Sequence, residues 1–372
     1  MNFAIITHVS HIKSNNQYFG YAPYIREMNL WLKDVDEVTI VAHATQGNPT
    51  AIDTAYEHNN IDFYHVPSFN FVNAVNSVKS LLKLPKIFWN IFLAMKNADH
   101  IHLRCPGNMG LLGCIVQMFF PLKKKTAKYA GNWDPRSKQP IAYRLQKWIL
   151  SNTFLTRNMQ VLVYGEWENQ SKNIKAFFTA TYSESEKESL MRDNKSPETT
   201  FIFVGSLVLG KNPMYAIKLI EQLAKKDMKV LLHICGEGPE RTNLEGYIKK
   251  KQLEKFVFLQ GNKDKEALKE FYKKSHFVIL PSRSEGWPKA IAEGMFWGCV
   301  PLTTSISCVP FMLNYGKRGV LLNMKLTEDL MQIEKLLVNK DDFFEKSDFA
   351  VKWAQNYTTD LFAIEIKNLL TK

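Results

Sequence analysis

The chain is poor in cysteine, and what it has follows no pattern. Five cysteines in 372 residues, Cys105, Cys114, Cys235, Cys299 and Cys308, form no C-x-x-C pair and are odd in number. A disulfide scaffold and a zinc framework are therefore excluded as readings, and a reducing, cytoplasmic compartment is expected. Long apolar runs are missing as well. The longest, MGLLGCIVQMFFPL from Met109, is broken by Gln117 and falls short of the roughly 20 residues that span a bilayer. The opening MNFAIITHVSHIK has only a few apolar residues and no basic leader, so it reads as a first strand rather than a signal peptide. No G-x-G-x-x-G follows any expected strand, which sets aside a dinucleotide-dependent oxidoreductase. His8, His11, His43, His58, His65, His100 and His102 show no metal-ligand spacing, and Asp34 and Asp36 in KDVDE precede a strand as a solvated turn. No metal is expected. Internal repeats and low-complexity tracts are also lacking.

Acids are scarce in one block. Residues 70–160 hold fourteen Lys/Arg against Asp99 and Asp134 alone, while residues 1–69 are net acidic. The +12 charge of the whole chain thus resides in one region. Within it, residues 75–96 set Lys79, Lys83 and Lys86 at helical spacing beside Val75, Val78, Leu82, Phe88, Trp89 and Phe92, with Pro85 expected to break or kink the helix. Such a segment suits an anionic membrane surface, and equally a core-packed helix with a solvated lysine face. Lys123, Lys124 and Lys125 fit a solvated loop. Aromatics are not interleaved with the lysines in a nucleic-acid reader pattern, so no nucleic-acid partner is expected.

What is present is alternation. Short Val/Ile/Leu/Phe runs, FAIITHV, EVTIVAH, IDFYHV, DHIHLR, TAKYAG, MQVLVYG and FFTATY, then FIFVG, VLLHICG, FVFLQG, HFVILP, CVPLTT and RGVLL, are separated mostly by segments of helical period. Near-continuous apolar strands between helices mean parallel sheets covered on both faces. The polar stretch RDNKSPETT, residues 192–200, is the best break, giving two doubly wound α/β domains, 1–195 and 196–350, with a helix at 351–372 completing the first. Ligands in such sheets bind at the carboxyl ends of strands, so two facing sheets would enclose a deep cleft.

The stretch SRSEGWPKAIAEGM, residues 282–295, follows the strand HFVILP and enters a helix for which Pro288 suits the first position. Unpaired amides at the helix mouth favour a diphosphate, and Gly286 allows it close to the backbone. Glu285 and Glu293 beside that anion would be repelled unless they accepted hydrogen bonds from sugar hydroxyls, Glu293 from a ribose diol and Glu285 from the group on the far phosphate. A nucleoside diphosphate sugar satisfies both. An acidic helix cap with an unrelated helix glutamate remains open from this stretch alone. FVGSLVLGKNP at 203–213 adds Gly205 and then Lys211, a cation for the leaving diphosphate. HICGEGPER at 233–241 adds a glycine turn at Gly236.

With FVGSLVLGK, GEGPER, FLQG and PSRSEGWPKAIAEG in this order, the chain resembles the retaining glycosyltransferases of family four, which have the GT-B fold of two facing Rossmann-like domains. The second domain carries the resemblance closely, the first only in strand order and in the glycine-bearing loop YFGYAP. The resemblance implies that Glu285 contacts donor-sugar hydroxyls, Glu293 binds the ribose, and Gly286, Trp287, Pro288, Lys289 and Lys211 hold the diphosphate. It further implies transfer with retention from a nucleoside diphosphate sugar, a UDP-sugar favoured, to a glycan or lipid-linked acceptor, often in cell-surface polysaccharide synthesis. Neither metal nor cofactor is required.

Two positions depart from the pattern. Ser206 stands where many members have arginine, and Arg283 is a substitute cation close in sequence. In place of a first-domain histidine stands KYAGNWDPRSK, offering Asn132, Trp133 and Asp134. His11 and Gly20 are further candidates for the acceptor side. A sugar-nucleotide epimerase on the same fold and an inactive sugar-nucleotide-binding homologue are the competing readings. A cytoplasmic protein, peripheral on the inner face of the membrane, fits the basic first domain.

Overall fold

The computed structural model describes residues 1–50, 52–67, 74–188 and 198–371, with the backbone alone for 74–81. Two compact units emerge, one of Met1–Phe178 with Leu361–Lys372, the other of Thr179–Asp360. The division thus falls at Phe178/Thr179, ahead of the polar stretch expected to mark it. Residues 192–197 of that stretch lie outside the described residues.

The first unit runs β1 (Asn2–Ile6), β2 (His11–Ser14), β3 (Gln17–Tyr21), α1 (Ala22–Trp31), β4 (Glu37–Ala42), β5 (Ala44–Gln46), β6 (Asp53–Ala55), β7 (Ile61–His65), α2 (Ala74–Asn97), β8 (His100–Cys105), α3 (Asn108–Val116), β9 (Lys124–Tyr129), α4 (Ile141–Ser151), β10 (Met159–Tyr164) and β11 (Ile174–Phe177). Its parallel sheet is ordered β11-β10-β9-β8-β1-β4-β7. Alternation along β8 shows how the layers arise. Ile101, Leu103 and Cys105 join the core shared with α2, α3 and α4. His100, His102 and Arg104 point the other way, where Phe3 stacks on both histidines and Trp31 of α1 packs on His102. Arg104 pairs with Glu27 of α1 at 2.5 Å. Helix α2 continues through Pro85 without the break that proline could have caused.

The stretch YFGYAP is not a loop. Gln17–Tyr21 pairs antiparallel with His11–Ser14, through a two-residue turn in which Asn15 and Asn16 both have positive φ. That turn matches strand twist and favours asparagine. A small sheet β5-β2-β3-β6 results, and Gly20 lies within a strand opposite His11.

The second unit follows with β12 (Thr199–Val204), α5 (Pro213–Ala224), β13 (Val230–Cys235), α6 (Arg241–Lys250), β14 (Val257–Gly261), α7 (Lys265–Lys274), β15 (Phe277–Leu280), α8 (Lys289–Phe296), β16 (Val300–Thr304), α9 (Val309–Met312), β17 (Val320–Leu322), α10 (Leu326–Val338) and α11 (Lys340–Ala354). The chain then returns as α12 (Thr359–Thr371), whose Phe362 packs on Phe177 and Phe178 in the first unit. The second sheet is parallel, ordered β14-β13-β12-β15-β16-β17. From β12 the chain winds outward through β13 and β14, then returns to β15 and winds the other way. Its topological switch point therefore lies between the carboxyl ends of β12 and β15, where sheets of this kind bind ligands. No helix of the described residues is long and apolar enough to cross a membrane.

Candidate functional site

At that switch point the loops after β12 and β15 are joined. The Arg283 amide donates to the Gly210 carbonyl at 2.8 Å, which sets Lys211 beside the 282–288 loop. Lys211 Nζ then reaches Glu285 Oε1 at 2.5 Å. Glu285 is only 8% exposed, whereas the Lys211 side chain keeps 29% exposure. A carboxylate so buried needs a cation or several donors, and the lysine supplies that role. Sequence reasoning assigned the lysine to a diphosphate and the glutamate to a sugar. The structure brings the two together as an ion pair.

The glutamate loop is braced from behind. Ser307 Oγ and Cys308 Sγ lie 3.3 and 3.1 Å from the Gly286 carbonyl. Thr304 Oγ1 donates to the Ser282 carbonyl at 2.5 Å. Trp287 is buried, stacked on Trp353 of α11 and edge-on to Tyr357. Its ring anchors the loop. Pro288 is the N-cap of α8 and Lys289 the first helical residue, one position later than expected. The first intrahelical bonds are Ile291 and Ala292 to the Pro288 carbonyl, so the amides of Lys289 and Ala290 precede the ladder.

Two glycine turns close the other side. The Gly205 amide donates to Cys235 O at 3.0 Å, and Leu207 to Glu237 O at 2.9 Å. Gly236 has φ of +154°, and a Cβ there would sit 2.0 Å from the Gly205 carbonyl oxygen. Glycine is needed for both reasons. Ser206 and Arg283 are exposed.

Glu293 sits farther along α8 and is half-buried. Its carboxylate accepts from Thr181 Oγ1 at 2.7 Å and Tyr272 Oη at 3.1 Å. Burial first, then the Glu293 charge, raises the Tyr272 phenol well above its ordinary value, so it stays a donor. Thr181, Lys289 and Glu293 line one cavity with Trp353 and Tyr357. Sequence reasoning missed Thr181 and Tyr272. Thr181 lay in a segment read as strand, and nothing in a lone helix tyrosine pointed to the glutamate.

In the first unit, His11 is fully buried. Its Nε2 lies 3.0 Å from Tyr56 Oη, its ring stacks on Tyr56 and meets Tyr24 and Phe63 edge-on, and burial lowers its pKa to about 4. Gly20 is buried as well. Asn132 and Asp134 share one loop, where Asn132 Oδ1 accepts from the Asp134 amide at 2.9 Å and Asp134 Oδ1 from the Arg136 amide at 2.8 Å. Trp133 is buried against Tyr129, its indole donating to Gln170 Oε1 at 2.9 Å. The cavity at this unit's own switch point, between β1 and β8, is lined instead by His8, Ser10, His43, Gly107 and Tyr143. The glycine after the strand in HIHLRCPG was its available signal. No group of three or more metal-type side chains occurs among the described residues.

Residues 185–356, nearly all of the second unit, match the family model described as glycosyl transferases group 1. Protein CapJ of Staphylococcus aureus is 24% identical over 64% of this chain and 63% of its own length. The GDP-mannose:cellobiosyl-diphosphopolyprenol alpha-mannosyltransferase of Xanthomonas oryzae pv. oryzae is 24% identical over 40% of each chain. This chain therefore spans less than two thirds of either relative. Among solved structures, Anabaena Alr3699/HepE in complex with UDP superposes with a TM-score of 0.72 at 12% identity, over 100% of this chain and 99% of that one. Likenesses of this kind establish the GT-B fold, with its two Rossmann-like units.

Proposed function

We propose that the chain is a retaining glycosyltransferase of family four that moves a sugar from a nucleoside diphosphate sugar, a UDP-sugar favoured, to a hydroxyl of a glycan or lipid-linked acceptor in cell-surface polysaccharide synthesis. The observation that carries this reading is the Lys211–Glu285 pair at the switch point of the second sheet, next to the amides that open α8. A diphosphate at the helix mouth competes with Glu285 for the lysine and draws the ammonium onto its oxygens. Glu285 is then free to accept from hydroxyls of the donor sugar, and Glu293 from the ribose. The diphosphopolyprenol acceptor in one relative's name supports the acceptor class, and a structural neighbour holding UDP supports a nucleotide donor.

The chemistry asked of the protein is positioning and charge stabilisation. As the bond from the anomeric carbon to the diphosphate breaks, negative charge grows on the phosphate oxygens, where Lys211 and the helix amides concentrate positive potential. The acceptor hydroxyl attacks from the same face and its proton passes to the departing phosphate, so no protein nucleophile is needed. No metal or other cofactor takes part in this scheme. The protein works in the cytoplasm, peripheral to the inner face of the membrane.

A thermal-shift panel of UDP-, GDP- and ADP-sugars tests the donor, since a bound ligand raises the melting temperature by mass action. NMR of the anomeric proton in the product tests retention. No shift with any donor, an inverted anomer, or conversion of the sugar itself without acceptor would each overturn part of the reading.

A further inference from the structure

The helical layer on one face of the first sheet carries side chains that no core explains. Helix α3 packs against both α2 and α4, so the outward residues of all three share a surface. On it Trp89 is 58% exposed, Phe119 62% and Trp148 60%, with Leu145 at 42% and Ile115 at 36%. Trp89 stacks on Phe92 at 5.8 Å and Phe92 meets Phe119 at 6.4 Å, which joins α2 to the turn after α3. On α4, Ile141, Leu145 and Trp148 repeat at i, i+4, i+7 and all face solvent, an apolar stripe directed away from the buried side of its own helix.

The charge around this patch has one sign. Lys86, Lys96, Lys124, Arg144 and Arg157 are exposed on the same elements and their flanks, while the only acids between residues 82 and 157 are Asp99 and Asp134. Protein interfaces are enriched in aromatics but depleted in lysine. Surfaces that lie in a lipid headgroup region combine Trp, Phe and Leu with Lys and Arg. The patch is of the second kind.

We propose that the outer face of α2, α3 and α4 docks on an anionic lipid bilayer, seating Trp89, Phe119 and Trp148 among the headgroups while the surrounding lysines and arginines meet anionic lipid. The basic segment at 75–96 contributes one edge of this surface rather than the whole, and the side chain of Lys79 lies outside the described residues. Tyr143, which lines the cavity at the first unit's switch point, belongs to α4. Docking would therefore hold that cavity close to the bilayer, where a lipid-linked acceptor would present its sugar. This last step rests on the transferase reading, whereas the docking itself does not.

The test is co-sedimentation of the full chain with sucrose-loaded vesicles of phosphatidylcholine alone or mixed with phosphatidylglycerol, without nucleotide. Binding is expected only to the mixed vesicles and should weaken as salt is added. Replacing Trp89, Phe119 and Trp148 together by serine should lower partitioning by about tenfold or more, because each removes a large apolar group from the interface. Replacing Lys86, Lys124 and Arg144 by glutamine should lower it by roughly fivefold for each charge. The UDP thermal shift of both variants should match that of the unaltered chain, which separates failure of docking from failure of the transferase reading. Quenching of tryptophan fluorescence by brominated lipid in the unaltered chain gives an independent readout should the triple serine variant not fold. Equal binding of the serine variant, no binding of the unaltered chain to mixed vesicles, no quenching, or a dimer that the serine substitutions convert to monomer would each overturn the proposal.

Discussion

The Lys211 ammonium and the Glu285 carboxylate lie 2.5 Å apart, at the end of the strand pair where the second sheet reverses its winding. Each partner neutralises the other. Glu285→Gln removes the competitor for the lysine without removing its volume. That variant should bind UDP at least as tightly as the unaltered chain while turnover falls by about 10²-fold or more, since a sugar-orienting acceptor is lost. Calorimetry with UDP and a transfer assay read the two effects separately. Weaker UDP binding in the variant would mean that the glutamate supports the diphosphate site and does not compete with it.

Lys211→Ala leaves the same carboxylate buried and without its cation. A destabilisation of about 1–3 kcal/mol is expected, together with weaker UDP binding. Lys211→Ala/Glu285→Gln removes both charges and should regain much of the stability but none of the activity. Urea unfolding of the three variants checks this, and a double variant no more stable than Lys211→Ala would show that the pair is not coupled.

Much of this site was legible because its signals are local. An apolar strand followed by a glycine, two acids and a proline within 282–295 places a loop at the carboxyl end of a sheet strand by itself, and the alternation of apolar strands and helices gives two parallel sheets. The hairpin of β2 and β3 was hidden, since two asparagines at positive φ read as an ordinary polar loop unless hairpin turn chemistry is considered. Thr181 and Tyr272 were not legible, because their common partner Glu293 is 112 and 21 residues distant. Neither was the burial of His11, set by Tyr24, Tyr56 and Phe63 from three other elements or loops.

Gly236 offers a steric test of the glycine turns. Alanine there puts a methyl group 2.0 Å from the Gly205 carbonyl oxygen, where the nearest atoms are all Gly205 backbone and no flexible side chain can yield. Gly236→Ala should cost about 3 kcal/mol or more and abolish the UDP thermal shift. Gly210→Ala is the control, because a Cβ there meets nothing within 4 Å. Equal melting temperatures for the two variants would refute the close approach.

Acid should destabilise the first unit through its histidines. His11 and His100 are fully buried, and burial lowers each pKa to about 4, below the ordinary value near 6.5 of the unfolded chain. Between pH 6.5 and 4 the unfolded chain binds protons that the folded one refuses. The stabilising contribution of the neutral rings is thus complete above pH 6.5 and is lost as pH falls through that window, up to roughly 3 kcal/mol for each ring. Urea midpoints at pH 7 and 4.5 measure it. His100→Phe should flatten the slope, and an unchanged midpoint in the parent would show that the rings are charged inside.

Ser206 stands where many members of the resembling family carry arginine, and it is exposed at the carboxyl end of β12. If the diphosphate lies between that loop and α8, a cation at residue 206 would add to Lys211, and Ser206→Arg should tighten UDP binding severalfold at low salt, less as salt screens it. Arg283, exposed and tied through its amide to Gly210, is the resident alternative. Arg283→Ala should weaken UDP binding by a similar factor while leaving the melting temperature without ligand unchanged, because its backbone bond survives the substitution. Combining the two changes then discriminates between them: Ser206→Arg should rescue Arg283→Ala if both cations serve one anion. Additive effects of opposite sign with no change in the salt dependence would place the two side chains at separate ligands, and the diphosphate would have to be sought elsewhere on the sheet edge.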